Sequence, residues 1–229
     1  MEYSEKSSAI KHGSSLFSDK GIRLNVKTDD ITAQGMLKFG SLSPIRYDIM
    51  GPFKYIPFMQ CRHSVFSMKH QVNGQITVNG QIYKFQNGIG YIEGDRGYSF
   101  PERYIWTQCC FNDGSLMLSV ADIPLCGFHF TGIIGIILLG GKEYRIATYL
   151  GAKIKRFGNN SVIVKQGKYT LTAKLIEKNS YPLYAPENGK MNRTIHESAS
   201  CKACYRFSDN GKILCEFTSD MASFEYEFD

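Results

Sequence analysis

The chain has 229 residues, 43% hydrophobic and 21% charged, enough to bury a core in one large domain or two small ones. Its net charge of +6 is spread out, with no basic block longer than KIKR at 153–156, which argues against a phosphate-tracking surface and against nucleic acid as a partner. Aromatics make up 13%, and with 22 glycines they favour strands and tight turns over helices.

In chain order, residues 1–18 are rich in Ser, Lys and Glu without periodicity and read as a mobile tail with no apolar export signal. GIRLNVKTDDITAQGMLKFG alternates around Asp29-Asp30, giving two strands. NGQITVNGQIYKFQNG is a hairpin whose Asn79-Gly80 supplies the positive φ angles of a type I′ turn. FTGIIGIILLGG is too short and glycine-broken to span a bilayer and reads as a buried strand turning at Gly140-Gly141. SVIVKQGKYTLTAKLIEK turns at Gly167. YPLYAPENGKMNRTIHESAS is a long excursion with room for a helical turn, of the kind that crosses a barrel mouth. The last 25 residues of strand pattern turn at Asn210-Gly211 and again near Asp220. No segment keeps a 3.6-residue apolar period, so the fold class is all-β and antiparallel, with a barrel favoured over a sandwich. The seven cysteines read as reduced thiols. Cys201 and Cys204 form a CKAC pair with no second pair at zinc-finger spacing, so neither a metal nor a cofactor is expected.

GYIEGDRGYSFPERYIWTQCC (90–110) packs charges among aromatics and holds the only Trp. On an extended chain Tyr91, Glu93 and Asp95 share a face. Tyr104, Trp106 and Gln108 share another, opposite Ile105, Thr107 and Cys109. Two readings follow: an exposed strand end with Arg96 or Arg103 paired to Glu93 or Glu102, or a pocket that holds a carboxyl against rings. In the pocket, desolvation keeps the carboxyl protonated near neutral pH.

YIEGDRGYSFPERYIWTQC resembles the signature of the tocopherol cyclase family and its bacterial members. MGPFKYIPFMQCRHSVFSMKH, GGKEYRIATYLGAKI, LYAPENGKM and TSDMASFEYE resemble its flanking blocks. The resemblance implies two lipocalin-like barrels in tandem. The first is expected to be incomplete here, because the family's opening Glu-Gly-Trp-Tyr motif is absent, and Arg96 stands where the family has Trp. The implied layout is a tail at 1–18, a partial barrel at 19–112 and a second barrel at 113–229. The implied reaction closes a prenylated quinol to a chromanol by alkene protonation and phenol trapping. Glu93 is the expected acid and Asp95 the second choice. Tyr91, Arg96, Ser99, Phe100, Tyr104, Trp106, Gln108 and His63 are expected around the substrate, with His63 and His70 as proton relays or structural donors. The alternatives are a non-catalytic lipocalin-like binder of an isoprenoid, quinone or other lipid, and a shortened remnant. The expected partner is an apolar small molecule, with a membrane surface as a second; the expected location is cytoplasmic or membrane-peripheral.

Overall fold

A computed structural model describes residues 2–4, 9–57, 59–125 and 128–227, and Cys126 of the sequence lies outside them. Most of these residues are strand. The helical content among them is short 3-10 turns, such as Gly51–Tyr55, and no helix is long and apolar enough to cross a membrane. The chain divides into two compact units, residues 1–44 with 66–92, and residues 45–65 with 93–229.

The first unit carries a seven-stranded antiparallel sheet whose strands neighbour each other in chain order. They are β1 (Glu2–Ser4), β2 (Ala9–His12), β3 (Ser15–Ser18), β4 (Gly21–Lys27), β5 (Thr32–Phe39), β6 (Cys61–Val78) and β7 (Gln81–Gly97), the last two also reaching the second unit. The stretch expected as a tail is therefore strand over β2 and β3, held by the pairings Ile10–Phe17 and Phe17–Ile22. Backbone pairing, to which the polar side chains there do not object, outweighs the missing periodicity. Gly35 and Gly74 face neighbouring strands so closely that a Cβ would sit 2.2 Å from Gln75 O and 2.1 Å from Met36 O. Only glycine lets the sheet coil this tightly.

The second unit carries β8 (Tyr104–Phe111), β9 (Gly114–Leu125), β10 (Phe128–Leu139), β11 (Lys142–Ala147), β12 (Lys153–Gly158), β13 (Ser161–Gln166), β14 (Tyr169–Glu177), β15 (Tyr181–Glu187), β16 (Lys190–Asp209) and β17 (Lys212–Glu227). Their order is β11-β10-β9-β8-β17-β16-β14-β13-β12, with β15 on β16, so the last strand returns to pair with β8. The apolar run read as a buried strand is β10. One face of this sheet buries Ile105, Leu118, Val120, Ile133, Leu171, Tyr205, Phe207 and Phe224 in a single core. Cys201 joins that core, its thiol donating to Ala222 O at 3.2 Å, and the six cysteines of the described residues are free thiols.

Two local expectations differ. The excursion at 181–200 is a hairpin of β15 and β16, closed by Asn188 and Gly189 at φ 50° and 80°, the same type I′ signal as at Asn79-Gly80. No turn interrupts β17 near Asp220; β16 and β17 shift register between the Cys201–Ala222 and Ala203–Ser219 pairs and continue. A bulge absorbs the extra residues.

Asn79 and Gly80 adopt φ 48° and 83°, and a Cβ at Gly80 would meet nothing within 4 Å, so a side chain there costs backbone strain alone. Gly80→Val is expected to lower stability by about 1–2 kcal/mol, the penalty of a left-handed conformation, as read by denaturant unfolding. A variant as stable as the parent would contradict the turn.

Candidate functional site

The opposite face of the second sheet forms a cavity, and strand periodicity decides what enters it. On β8, Ile105 and Cys109 point to the core while Tyr104 and Trp106 point away from it. The register carries this division across the sheet: Glu225 pairs with Trp106, Trp106 with Ser119 and Ser119 with Ile134, and all four line the cavity. A parallel row runs from Tyr104 to Ala121 to Gly132, where small residues leave room beside the tyrosine.

A strap at 46–55 supplies Met50 and Phe53 as an apolar cover. It is held by the buried Arg145 of β11, whose Nη2 donates to Tyr47 O at 2.7 Å and whose Nη1 donates to Asp48 O at 2.9 Å. The guanidinium also lies 3.7 Å from the centre of the Tyr47 ring, and Glu143, 3.3 Å from Arg145 Nη2, accepts the Arg46 N–H at 2.9 Å. The cavity volume is about 360 Å³.

One wall of the cavity is polar. His63, on β6, donates from Nδ1 to Asp95 Oδ1 at 2.9 Å. Its Nε2 meets Glu93 Oε2 at 3.0 Å in an ion pair bent away from hydrogen-bond geometry. Burial works against the imidazolium. The bond to Asp95, the contact with Glu93 and both negative charges outweigh it, and His63 is pushed up to about 10. The ring is therefore a cation at neutral pH. Trp106 Nε1 donates to the same Glu93 oxygen at 3.3 Å. Tyr104 donates its hydroxyl proton to Glu225 Oε2 at 2.5 Å. Burial, countered by that bond and reinforced by the charges of Glu197, Glu93 and Asp95, pushes Glu225 up to about 7. Burial and the charge of Glu93 also raise Glu197, which lines the cavity too. Tyr104 itself is raised by burial and by Glu225, so it stays a phenol and a donor.

The family model described as tocopherol cyclase-like matches residues 15–226. The chain belongs to the tocopherol cyclase-like family. Among solved structures, the chain is similar to kievitone hydratase from Nectria haematococca at 10% identity, TM-score 0.55, over 96% of this chain and 70% of that one. A putative AttH from Nitrosomonas europaea gives 11% identity, TM-score 0.49, over 97% and 71%. The likeness to the hydratase fixes the fold as lipocalin-like. No curated protein sequence matches the chain.

Of the residues expected around the site of this family member, Glu93, Asp95, His63, Phe100, Tyr104 and Trp106 line the cavity. Tyr91 does not; it belongs to the first unit. Arg96 is exposed and outside the lining, because alternation turns it away from Glu93 and Asp95. Ser99 is buried and lines a separate, polar cavity with Gln60, Asp122 and Arg193. Gln108 keeps the face of Trp106 but lies beyond the cavity, donating to Cys110 Sγ at 3.2 Å. His70 sits in the first unit, against Ser67 Oγ at 3.0 Å and the Phe39 ring. Arg103 meets Asp122 at 3.5 Å, and Glu93 takes His63 as its partner. Sequence reasoning missed Glu197 and Glu225. The available signal was SFEYEF, where acidic residues occupy the strand positions opposite in parity to the core residue Phe224. Among the described residues no group of three or more His, Cys, Asp or Glu side chains is placed to hold a metal.

Because folding raises the His63 pKa above its unfolded value of 6.5, the stabilisation it brings is complete below about pH 6.5 and lost as pH rises through about 10. The melting-temperature gap between the parent and His63→Asn is expected to narrow across that window. In the parent the imidazole carbon shifts should stay those of the charged ring until near pH 10. A ring that titrates near 6.5 would show that the flanking carboxylates do not hold it.

Proposed function

We propose that this cavity closes a ring in a prenylated quinol, protonating its alkene and trapping the resulting cation with the phenol oxygen. The observation that carries the reading is Glu225: a carboxyl pushed up to about 7, hydrogen-bonded by Tyr104, beside the sole tryptophan in an apolar cavity. An alkene accepts a proton only from a group that holds one where water is scarce. Glu225 takes this role rather than Glu93, the acid expected from the signature, because Glu93 is engaged by the His63 cation at 3.0 Å.

In this scheme the Glu225 proton bonds to the less substituted alkene carbon as the π bond breaks, leaving a tertiary cation on the other carbon. The faces of Trp106, Tyr104 and Phe100 steady that cation. The phenol oxygen then forms the C–O bond, its O–H breaks, and the proton passes to the Glu225 carboxylate. Protons balance and the product is an isomer of the substrate. Glu93 and Asp95, anchored on His63, orient the phenol as hydrogen-bond acceptors. Met50 and Phe53 on the strap keep out water, which would otherwise capture the cation and yield a tertiary alcohol. Leu183 and Tyr184 line the cavity while 45% and 72% exposed, and so give an apolar ligand a way in from a membrane surface.

The test pairs chemistry with binding. Incubation with a prenylated hydroquinone should give a chromanol of unchanged mass, and Glu225→Gln should lower turnover by roughly 100-fold or more, the scale of general-acid loss. Quenching of Trp106 fluorescence by the same compound should survive the substitution. Equal turnover in parent and variant would remove Glu225 as the acid. Saturable quenching with no product would make the protein a binder, and a product that has gained water would make it a hydratase.

A further inference from the structure

Glu225 does not stand alone on its wall. Ser198 of β16 pairs with Phe224 of β17 at the end of their ladder, Glu197 and Glu225 are the next residues outward on each strand, and both side chains line the cavity. Like charges placed side by side on antiparallel strands oppose the pairing of those strands. No Lys or Arg lines the cavity among the described residues, and its one imidazolium is committed to Glu93 and Asp95. The Glu197 carboxyl has no hydrogen-bond partner among the described residues. A proton is the remaining means of neutralising the pair.

We propose that Glu197 is the charge partner of Glu225: the two carboxyls hold one proton between them, and ionised Glu197 keeps that proton on Glu225. Glu225 lies deeper, where burial favours its protonated form even against the hydrogen bond donated by Tyr104, and Glu197 is the member with less of its surface covered. Glu197 is thus a positioning residue, acting on a substrate only through the acid. The idea rests on the reading of Glu225 as the proton donor. The other titratable groups facing Glu225 are Tyr104 from β8, Glu93 and Asp95 from β7, His63 and Cys61 from β6, and Tyr184 from β15. The strap, β9 and β10 contribute only uncharged side chains. Among these groups Glu197 is the carboxylate one position beyond the Ser198–Phe224 pair, on the strand that neighbours that of Glu225, so its removal should be felt there as a coupled titration.

The experiment needs no substrate. The full chain, labelled with glutamate carrying ¹³C at the carboxyl, is titrated by NMR as parent, Glu225→Gln, Glu197→Gln, Glu197→Ser and Glu197→Asp. The parent should show one carboxyl with a midpoint near 7, absent from Glu225→Gln. In Glu197→Gln the midpoint should move to lower pH, and Glu197→Asp, which keeps the charge, should restore it. Glu197→Ser repeats the neutral arm should the glutamine variant fail to fold. If the near-neutral signal persists in Glu225→Gln, the assignment of the acid fails. If it vanishes there but keeps its midpoint in both neutral variants of Glu197, the pairing is overturned and the acid stands.

Discussion

The pairing of β17 with β8 is the contact on which the second unit depends. It sets Phe224 against Thr107 and Glu225 against Trp106. Thr107 reinforces it by donating to Ser223 O at 2.8 Å, with the Tyr205 hydroxyl 2.6 Å from its Oγ1. One register therefore seals the core on one face and assembles the candidate site on the other. A slip of one residue would turn Glu225 into the core and Phe224 into the cavity, an exchange that the burial of Phe224 at 1% exposure forbids. The hydrophobic effect, by fixing Phe224, also fixes the carboxyl.

The electrostatics follow from that placement. A cavity with four carboxyls and one imidazolium cannot keep every charge in low dielectric. His63 takes a proton and serves two carboxylates, and burial raises both remaining carboxyls, Glu225 to about 7. The cavity so presents a tethered cation beside Glu93 and Asp95, and in Glu225 a carboxyl that takes up a proton near neutral pH. Both states arise from burial and spacing, without any bound group.

Local features of this fold were legible in the sequence, and pairings between distant residues were not. Asn79-Gly80, Gly140-Gly141 and Asn210-Gly211 announce hairpins because positive φ at both central positions is a residue-level demand. The alternation around Trp106 assigned Tyr104 and Ile105 to opposite faces correctly, since period two is a property of any strand. The return of β17 to β8 joins residues more than a hundred positions apart and has no local signature. Glu197 and Glu225 were unreadable for the same reason: each is an ordinary polar position on its own strand until the register sets them together. Tyr91 was misplaced because chain proximity to Glu93 does not keep two residues in one unit. The hairpin at Asn188-Gly189 carried its signal openly, but the two prolines of YPLYAPENG suggested a loop; Pro182 and Pro186 are accommodated because β15 pairs on one side only.

The Arg145 clamp has a consequence for variation within the fold. Its guanidinium grips the carbonyl oxygens of Tyr47 and Asp48, and such oxygens are present whatever side chains the strap carries. The residues that cover the cavity, Met50 and Phe53, can thus be exchanged without loosening the anchor. Arg145 and its partner Glu143 form a fixed pin, and the strap is an interchangeable cover whose side chains set the size and shape of the cavity beneath it.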